Sequence, residues 1–385
     1  MKKGERAYEV VVVGAGVIGL SIAFEVAASG RRVLVVEKGR PGCGASAAAG
    51  GMLAPAAESE VADEHLIRLA LESHALYDDF IDRIEELSGV DCGYRREGTL
   101  LLALDRDHRE RFERAAAIQR NLAPFSSRET ASMTWLDPRE VRRREPKLAP
   151  RIAGAFFAES DHQVDPRALC EALHTAVVRL GGEVLHSAVI GERRQGGVEI
   201  LQRGKRIDVA CRTIVLANGV DSEPAYPGAP DLGLRPIKGQ ILCLHGEPLL
   251  QHVVRTPDVY LIPRRDGRLL VGVTSEDVGF DRRPTAGAVH DLLREAFRAL
   301  PGILELELKE TCVGFRPALR NRLPAIGWFD PATRRAAGGP RQLAALGHYR
   351  HGILLAPITA WLVVRLLDEG ELPAAYAPFR PRSAE

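Results

Sequence analysis

An α/β architecture, α+β when the whole chain is counted, follows from three features of the 385-residue sequence. Residues 8–13 (YEVVVV) form a largely β-branched run, the pattern of a strand buried on both faces. A glycine cluster at 14–19 (GAGVIG) follows at once, and helical spacing over 17–29 puts Leu20, Ala23, Phe24 and Ala27 on one face. The chain closes as it opens, with a strand at 343–346, a loop at 347–352 and an apolar helix at 353–367; the texture from Gly239 onward is one of short strands and turns. These features predict a discontinuous Rossmann-type unit carrying an inserted antiparallel-sheet lobe. The expected boundaries are 1–90, 151–228 and 316–385 for the first region, and 91–150 and 229–315 for the second.

The elements follow in order. Gly30 stops the first helix, and residues 32–37 (RVLVVE) give a second strand, completing one βαβ unit. A stretch rich in Gly and Ala occupies 42–55 (GCGASAAAGGMLAP). Residues 66–87 read as one long amphipathic helix ending near Gly89, and 99–104 as a strand. Helices are expected at 109–119 and 138–145, the second opened by Asp137–Pro138, and another opens at Asp165–Pro166 with Leu169, Leu173, Val177 and Leu180 on its apolar face. Strand character returns at 183–189 and 213–217. Residues 259–263 and 268–273 flank a hairpin loop containing Asp-Gly, and a helix at 286–300 ends in Pro301.

Composition narrows the function classes. The 45% hydrophobic and 27% charged residues are an ordinary globular mix, which excludes disorder and collagen. Lys plus Arg is 52 and Asp plus Glu is 51, so no global field favours a nucleic acid partner. Cys43, Cys92, Cys170, Cys211, Cys243 and Cys312 show no zinc or redox spacing and read as reduced thiols of a cytoplasmic protein. Lys2 and Lys3 precede an apolar stretch, but Gly14, Gly16, Gly19 and Glu25 break its likeness to an export signal. The apolar run 353–367 contains Pro357 and Arg365 and falls short of the ~20 residues of a membrane span. His348 and His351 lack a third ligand at metal spacing, so no metal is expected.

The glycine cluster gains meaning from its setting between a strand and a helix. Gly14 permits the tight turn, Gly16 lets backbone approach a pyrophosphate, and Gly19 lets helix and strand pack closely. The helix N-terminus offers N–H groups to the phosphates, and Glu37 accepts from a ribose hydroxyl. The motif alone does not separate NAD from FAD. The small residues of 42–55, with the single hydroxyl of Ser46, let backbone lie against a large flat ring such as isoalloxazine. Arg316, set between apolar residues in Gly314–Phe315–Arg316–Pro317, needs an anion, either a structural carboxylate or the carboxylate of a substrate.

Taken together these blocks resemble the D-amino-acid oxidase superfamily of FAD enzymes, and most closely its bacterial glycine oxidases. The resemblance covers almost the full length: 10–19, 46–53 (SAAAGGML), 164–169 (VDPRAL), 216–219 (LANG), 236–240 (PIKGQ), 260–267 (YLIPRRDG), 314–317 (GFRP), 324–327 (PAIG) and 347–359 (GHYRHGILLAPIT). It implies non-covalent FAD lined by Gly14, Gly16, Val17, Ile18, Gly19, Glu37, Lys38, Gly44, Ala45, Ser46, Gly50, Gly51 and Met52. Val189 would meet the adenine through its backbone, and His348, Tyr349, Arg350, His351, Gly352, Ile353 and Leu354 would sit beside the flavin. Arg316 would hold a substrate carboxylate, Tyr260 would close the pocket, and Arg350 would lie near the substrate. A helix opening at Gly352 would stabilise charge at the flavin N1–O2 edge. Covalent attachment would need a cysteine soon after Arg316, and Cys312 precedes it.

The implied reaction is oxidative deamination of glycine, other small amines and D-amino acids to the 2-oxo acid, ammonia and hydrogen peroxide, by hydride transfer to flavin N5 with molecular oxygen as acceptor. The resemblance also implies a homotetramer and a role in thiamine thiazole formation. Rival readings are a sarcosine or other N-methyl amino-acid oxidase, a quinone-linked D-amino-acid dehydrogenase, a nicotinamide dehydrogenase, and an FAD-binding protein without turnover. The chain departs from the family pattern by one extra glycine within 46–53, by Ser275 in place of a methionine, by Asp258 in place of a histidine and by Asp221 in place of a tryptophan.

Overall fold

In the computed structural model, which describes residues 6–57, 63–122, 133–220, 231–329 and 339–382, two eight-stranded sheets carry the chain. Asp221 lies outside the described residues.

The first sheet is built on Arg6–Val13. This strand pairs in parallel with Val33–Glu37 on one side and Lys205–Leu216 on the other; Glu183–His186 and Arg341–Leu346 extend the parallel set outward. Successive valines explain why it folds here. Val10 and Val12 enter one apolar cluster, with the helices Val17–Ala28, Pro166–Arg179 and Ala356–Glu369, while Val11 and Val13 enter the cluster on the opposite face. Each such fully buried side chain stabilises the fold by roughly 1.5–3 kcal/mol. Because these strands run in parallel, the segments 14–16, 38–51, 187–189, 217–219 and 347–352 all leave the sheet along its C-terminal edge, where open α/β sheets place ligands.

The second sheet runs Glu307–Ala318, Arg235–His245, Arg268–Gly272, Tyr260–Pro263, Val253–Arg255, Thr99–Ala103, Gly154–Ala158 and Met133–Leu136. It is antiparallel apart from Val253–Arg255 against Thr99–Ala103. Gly154–Ala158 pairs within this sheet, although the boundary drawn at 151 put it in the first region. Alternation divides the faces. Leu242, Leu244, Leu261, Leu269 and Val271 point to a core shared with Ala286–Ala299. Gly239, Ile241, Tyr260, Gly272 and Arg316 stand on the other face, as the register Ile237↔Arg316, Gly239↔Gly314, Ile241↔Gly272 and Tyr260↔Gly272 requires.

Three elements differ from expectation, each for a local reason. The helix expected over 66–87 is two, Glu64–His74 and Tyr77–Ser88, because the Leu76 amide bonds the Ser73 carbonyl in a tighter turn. The strand expected over 183–189 breaks at Ser187, whose φ of 53° turns the chain from parallel pairing with Val33–Glu37 to antiparallel pairing with Gly197–Gln202. The last helix opens at Ala356, not at 353. Pro357 has no N–H to return to the Ile353 carbonyl, so a helix begun earlier would carry a broken rung. The Tyr77 hydroxyl donates to that carbonyl instead, and the Ser73 hydroxyl donates to Leu354 O at 2.6 Å and accepts from Ile358 N at 3.3 Å.

Among the described residues no helix is long and apolar enough to cross a membrane. Nor do His, Cys, Asp and Glu gather there in threes that could hold a metal. All six cysteines are free, with Cys43 exposed and the rest buried. Burial pushes the thiols of Cys170, Cys211 and Cys312 up to about 12, so they stay protonated and unreactive near neutral pH.

Candidate active site

At the first turn, steric fit demands glycine. A methyl group on Gly14, whose φ is +102°, would lie 2.6 Å from the Ala217 carbonyl, and one on Gly19 would lie 1.9 Å from the Gly14 carbonyl. Gly16 caps the helix without a side chain, and Ser46, 29 residues away, supplies the missing acceptor through a 3.0 Å bond from Val17 N. The Glu37 carboxylate accepts from Ala15 N at 2.8 Å and Gly39 N at 2.7 Å, closing the turn from the neighbouring strand; Lys38 beside it is exposed. Ser187 N donates to Gly39 O at 3.2 Å, which brings Val189, 44% exposed, to the Glu37 end of the edge.

The small-residue stretch runs between the two sheets. Gly44 and Ala45 are exposed in a run of turns, and Ser46 is buried. A methyl on Gly314 would come within 2.5 Å of Ala48 Cβ, one on Gly50 within 2.7 Å of Ile262 Cδ1, and one on Gly51 within 2.0 Å of the Val164 carbonyl. Met52–Leu53 then forms a short strand with His162–Gln163. Sequence reasoning passed over the residue that fastens this stretch, Arg264. It is 5% exposed and donates to Gly50 O at 2.6 Å and to Gln163 Oε1 at 2.8 Å.

The last loop meets the second sheet beside Arg316. His348 bridges to Ala318, and Tyr349 N donates to Pro317 O at 2.9 Å. The His348 ring lies beneath the loop with Nε2 3.0 Å from Thr359 Oγ1, and burial holds it neutral with a pKa of about 3. His351 is buried and Arg350 is exposed, its guanidinium 5.4 Å from the Tyr349 ring centre. Burial opposes ionisation of the Tyr349 phenol; hydrogen bonds with Arg350 and Ser275 and the charges of Arg350 and Arg316 outweigh it and lower its pKa. Among the described residues no hydrogen bond uses the amides of Gly352, Ile353 and Leu354, because the helix starts only after them.

Arg316 itself is half-buried and meets no carboxylate within 4 Å among the described residues. Its Nη1 donates to the carbonyls of Thr274 at 3.2 Å and Lys238 at 3.4 Å. A methyl on Gly239 would lie 2.6 Å from the guanidinium, so glycine lets the fork lie flat on the neighbouring strand. Tyr260 stands further across the same face, its ring 3.2 Å from a methyl built on Gly272. Of the departures, Ser275 is among the groups that lower the pKa of Tyr349, while Asp258 lies in the turn before Tyr260, 3.9 Å from His108.

A turn in which Gly14 and Gly19 leave no room for a Cβ, a parallel-sheet edge with unengaged loop amides, and a charged fork that meets no carboxylate among the described residues fit a bound dinucleotide facing an acidic substrate. Sequence comparison agrees, since the family of FAD dependent oxidoreductases, DAO, matches residues 9–366. The chain belongs to that family, and its cofactor is FAD. It is 33% identical over 378 residues to the glycine oxidase of Geobacillus kaustophilus, covering 97% of this chain and 96% of the relative. The crystal structure of that enzyme superposes with a TM-score of 0.87 over 99% of this chain and 100% of the other. Identity to the bifunctional protein ThiO/ThiG of Synechocystis is 33% over 386 residues; this is 97% of the present chain but 54% of the relative, so the chain spans about half of that protein. The hydrogen cyanide synthase subunit HcnC of Pseudomonas aeruginosa is 32% identical over 97% of this chain and 95% of its own length.

Proposed function

We propose that this FAD-dependent amino-acid oxidase deaminates glycine and other small amines and D-amino acids to the 2-oxo acid, ammonia and hydrogen peroxide. A guanidinium oriented by carbonyls and meeting no carboxylate among the described residues carries the reading. It keeps its full charge for an incoming acid group, and the bidentate geometry fixes that acid's orientation. FAD held there would supply the hydride-accepting, two-electron chemistry of the oxidation, with oxygen as the terminal acceptor.

The chain's own residues do the rest. Gly14, Gly16, Gly19, Val17, Ile18 and Ser46 receive the pyrophosphate, Glu37 the ribose and Val189 the adenine end. Gly44, Ala45, Gly50, Gly51 and Met52 supply a thin wall against the ring. The amides of Gly352, Ile353 and Leu354 offer donors to developing negative charge, a role their position in a turn ahead of the helix suits. Arg316 anchors the carboxylate and Tyr260 bounds the pocket. His348 is not needed as a proton acceptor, since a substrate bound as the free amine needs none; its Nε2 pairs with Thr359 beneath the loop. The likeness to glycine oxidase and to ThiO/ThiG supports glycine as substrate and thiazole formation as the destination of the product.

A peroxide-release panel with glycine, sarcosine, D-alanine, D-proline and L-amino acids tests this. Glycine should release peroxide. Anaerobic bleaching without peroxide on admitting air would move the protein to quinone-linked dehydrogenases, and a flavin that no amino acid bleaches would end the proposal.

A further inference from the structure

Lys238 is 1% exposed, and its side chain has no part in the chemistry above. Its neighbours explain what it does. Residues 274–276 lie along 238–240 as a strap: Lys238 N donates to Glu276 O at 2.9 Å, Glu276 N to Lys238 O at 3.0 Å, and Thr274 N to Gln240 O at 3.2 Å. Side chains close it. Gln240 Nε2 donates to Glu276 Oε1 at 2.8 Å and to Thr285 Oγ1 at 3.2 Å, Thr274 Oγ1 donates to Glu276 Oε1 at 2.5 Å and accepts from Gln240 N at 2.9 Å, and Gln240 Oε1 accepts from Thr285 N at 2.9 Å. The Lys238 ammonium fastens the far end, donating to Arg283 O at 2.8 Å with Glu276 and Asp281 carboxylates at 3.8 and 3.9 Å.

The two carbonyls that aim Arg316 belong to this strap and its partner strand, Thr274 O and Lys238 O. Lys238 and Phe315 face away from Arg316 in the alternating register, so the ammonium reaches the substrate side only through backbone. We propose that Lys238 is a positioning residue: by clamping residues 274–283 it sets the two carbonyls that orient Arg316 for a carboxylate. Carbonyl aiming suits a receptor, because a carboxylate in that place would compete with the ligand for the fork.

The inference rests on Arg316 as the carboxylate receptor, and the experiment separates the two ideas. Flavin-loaded Lys238→Met, Lys238→Arg, Glu276→Gln and Arg316→Ala are compared for glycine kcat and KM and, without turnover, for acetate binding by calorimetry. Lys238→Met should raise KM and the acetate Kd together by about tenfold, with kcat within about twofold, since misaiming by a fraction of an ångström weakens binding before chemistry. Lys238→Arg should recover most of the loss. Unchanged KM and acetate Kd in Lys238→Met, or a fall confined to kcat, overturns the positioning role. If Lys238→Met does not fold, Glu276→Gln decides by the same criteria, because it breaks the clamp from the other side. Acetate binding that survives Arg316→Ala overturns the receptor reading itself, and the positioning role with it.

Discussion

Arg264 and Arg316 are both removed from solvent to a large degree, and the chain uses them in opposite ways. Arg264 is 5% exposed and gives its donors to Gly50 O and Gln163 Oε1, while its charge lowers the pKa of Asp165, whose burial works in the opposite direction. Arg316 is half-buried, gives one nitrogen to two carbonyls, and meets no carboxylate among the described residues. Two of the three Arg264 nitrogens are bonded into the fold, its Nε having no partner among the described residues, and the buried side chain holds the fold together; Arg316, aimed by carbonyls and half-buried, waits for an anion. The contrast predicts separable consequences.

The largest effect should come from the receptor. Arg316→Ala should leave the melting transition nearly unchanged yet lower kcat/KM for glycine by about 2–5 kcal/mol of transition-state stabilisation. Arg316→Lys should restore only part of it, since a point charge does not reproduce the planar fork. Steady-state kinetics beside a thermal melt check both halves, and a large loss of stability in Arg316→Ala would erase the contrast. Arg264→Met should do the reverse. It strands the Gly50 carbonyl and the Gln163 side-chain oxygen, while Asp165 keeps Arg268, and should lower unfolding stability by about 2 kcal/mol. Urea denaturation measures it, and the flavin should leave early in the transition because Gly50 loses its anchor.

Much of the first region was legible because its chemistry is local. The strand, turn and helix over 8–29 lie in one uninterrupted stretch, and each glycine role follows from spacing. Arg316 was legible as an arginine stranded among apolar neighbours. Arg264 was not, because its partner Gly50 is 214 positions away and nothing within 260–267 tells which arginine turns inward. The strap over 274–276 was hidden for the same reason: its bonds depend on register with 238–240. The last helix was misjudged at its start because periodicity weighed more than Pro357, whose missing N–H leaves Gly352, Ile353 and Leu354 in a turn.

The same contrast applies within the 347–352 loop. His348 belongs with Arg264, since Thr359 engages it and burial lowers its pKa to about 3. Its neutral form is favoured by folding, so its contribution is full above the unfolded pKa near 6.5 and declines as pH falls from there toward about 3. By pH 5 the loss should reach about 2 kcal/mol. A His348→Gln variant should show a flatter change in urea midpoint between pH 7 and pH 5 than the parent, and an equal change would show that the ring titrates freely.

Ser46 gives the smallest and sharpest case, because it stands in the cofactor region yet its hydroxyl is engaged by the fold. Gly16 cannot cap its own helix, and Ser46 Oγ accepts from Val17 N at 3.0 Å in its place. Loss of an N-terminal cap costs about 1 kcal/mol. Ser46→Ala should therefore lower the stability of the flavin-free protein by about that amount. If the hydroxyl serves only the helix, the flavin dissociation constant of the variant should stay within about twofold of the parent's once stability is accounted for. If it also donates to a phosphate oxygen, affinity should fall by a further ten- to hundredfold, about the worth of one hydrogen bond to a charged group. Flavin fluorescence titration of apoprotein distinguishes the two and decides whether one side chain can belong to both classes.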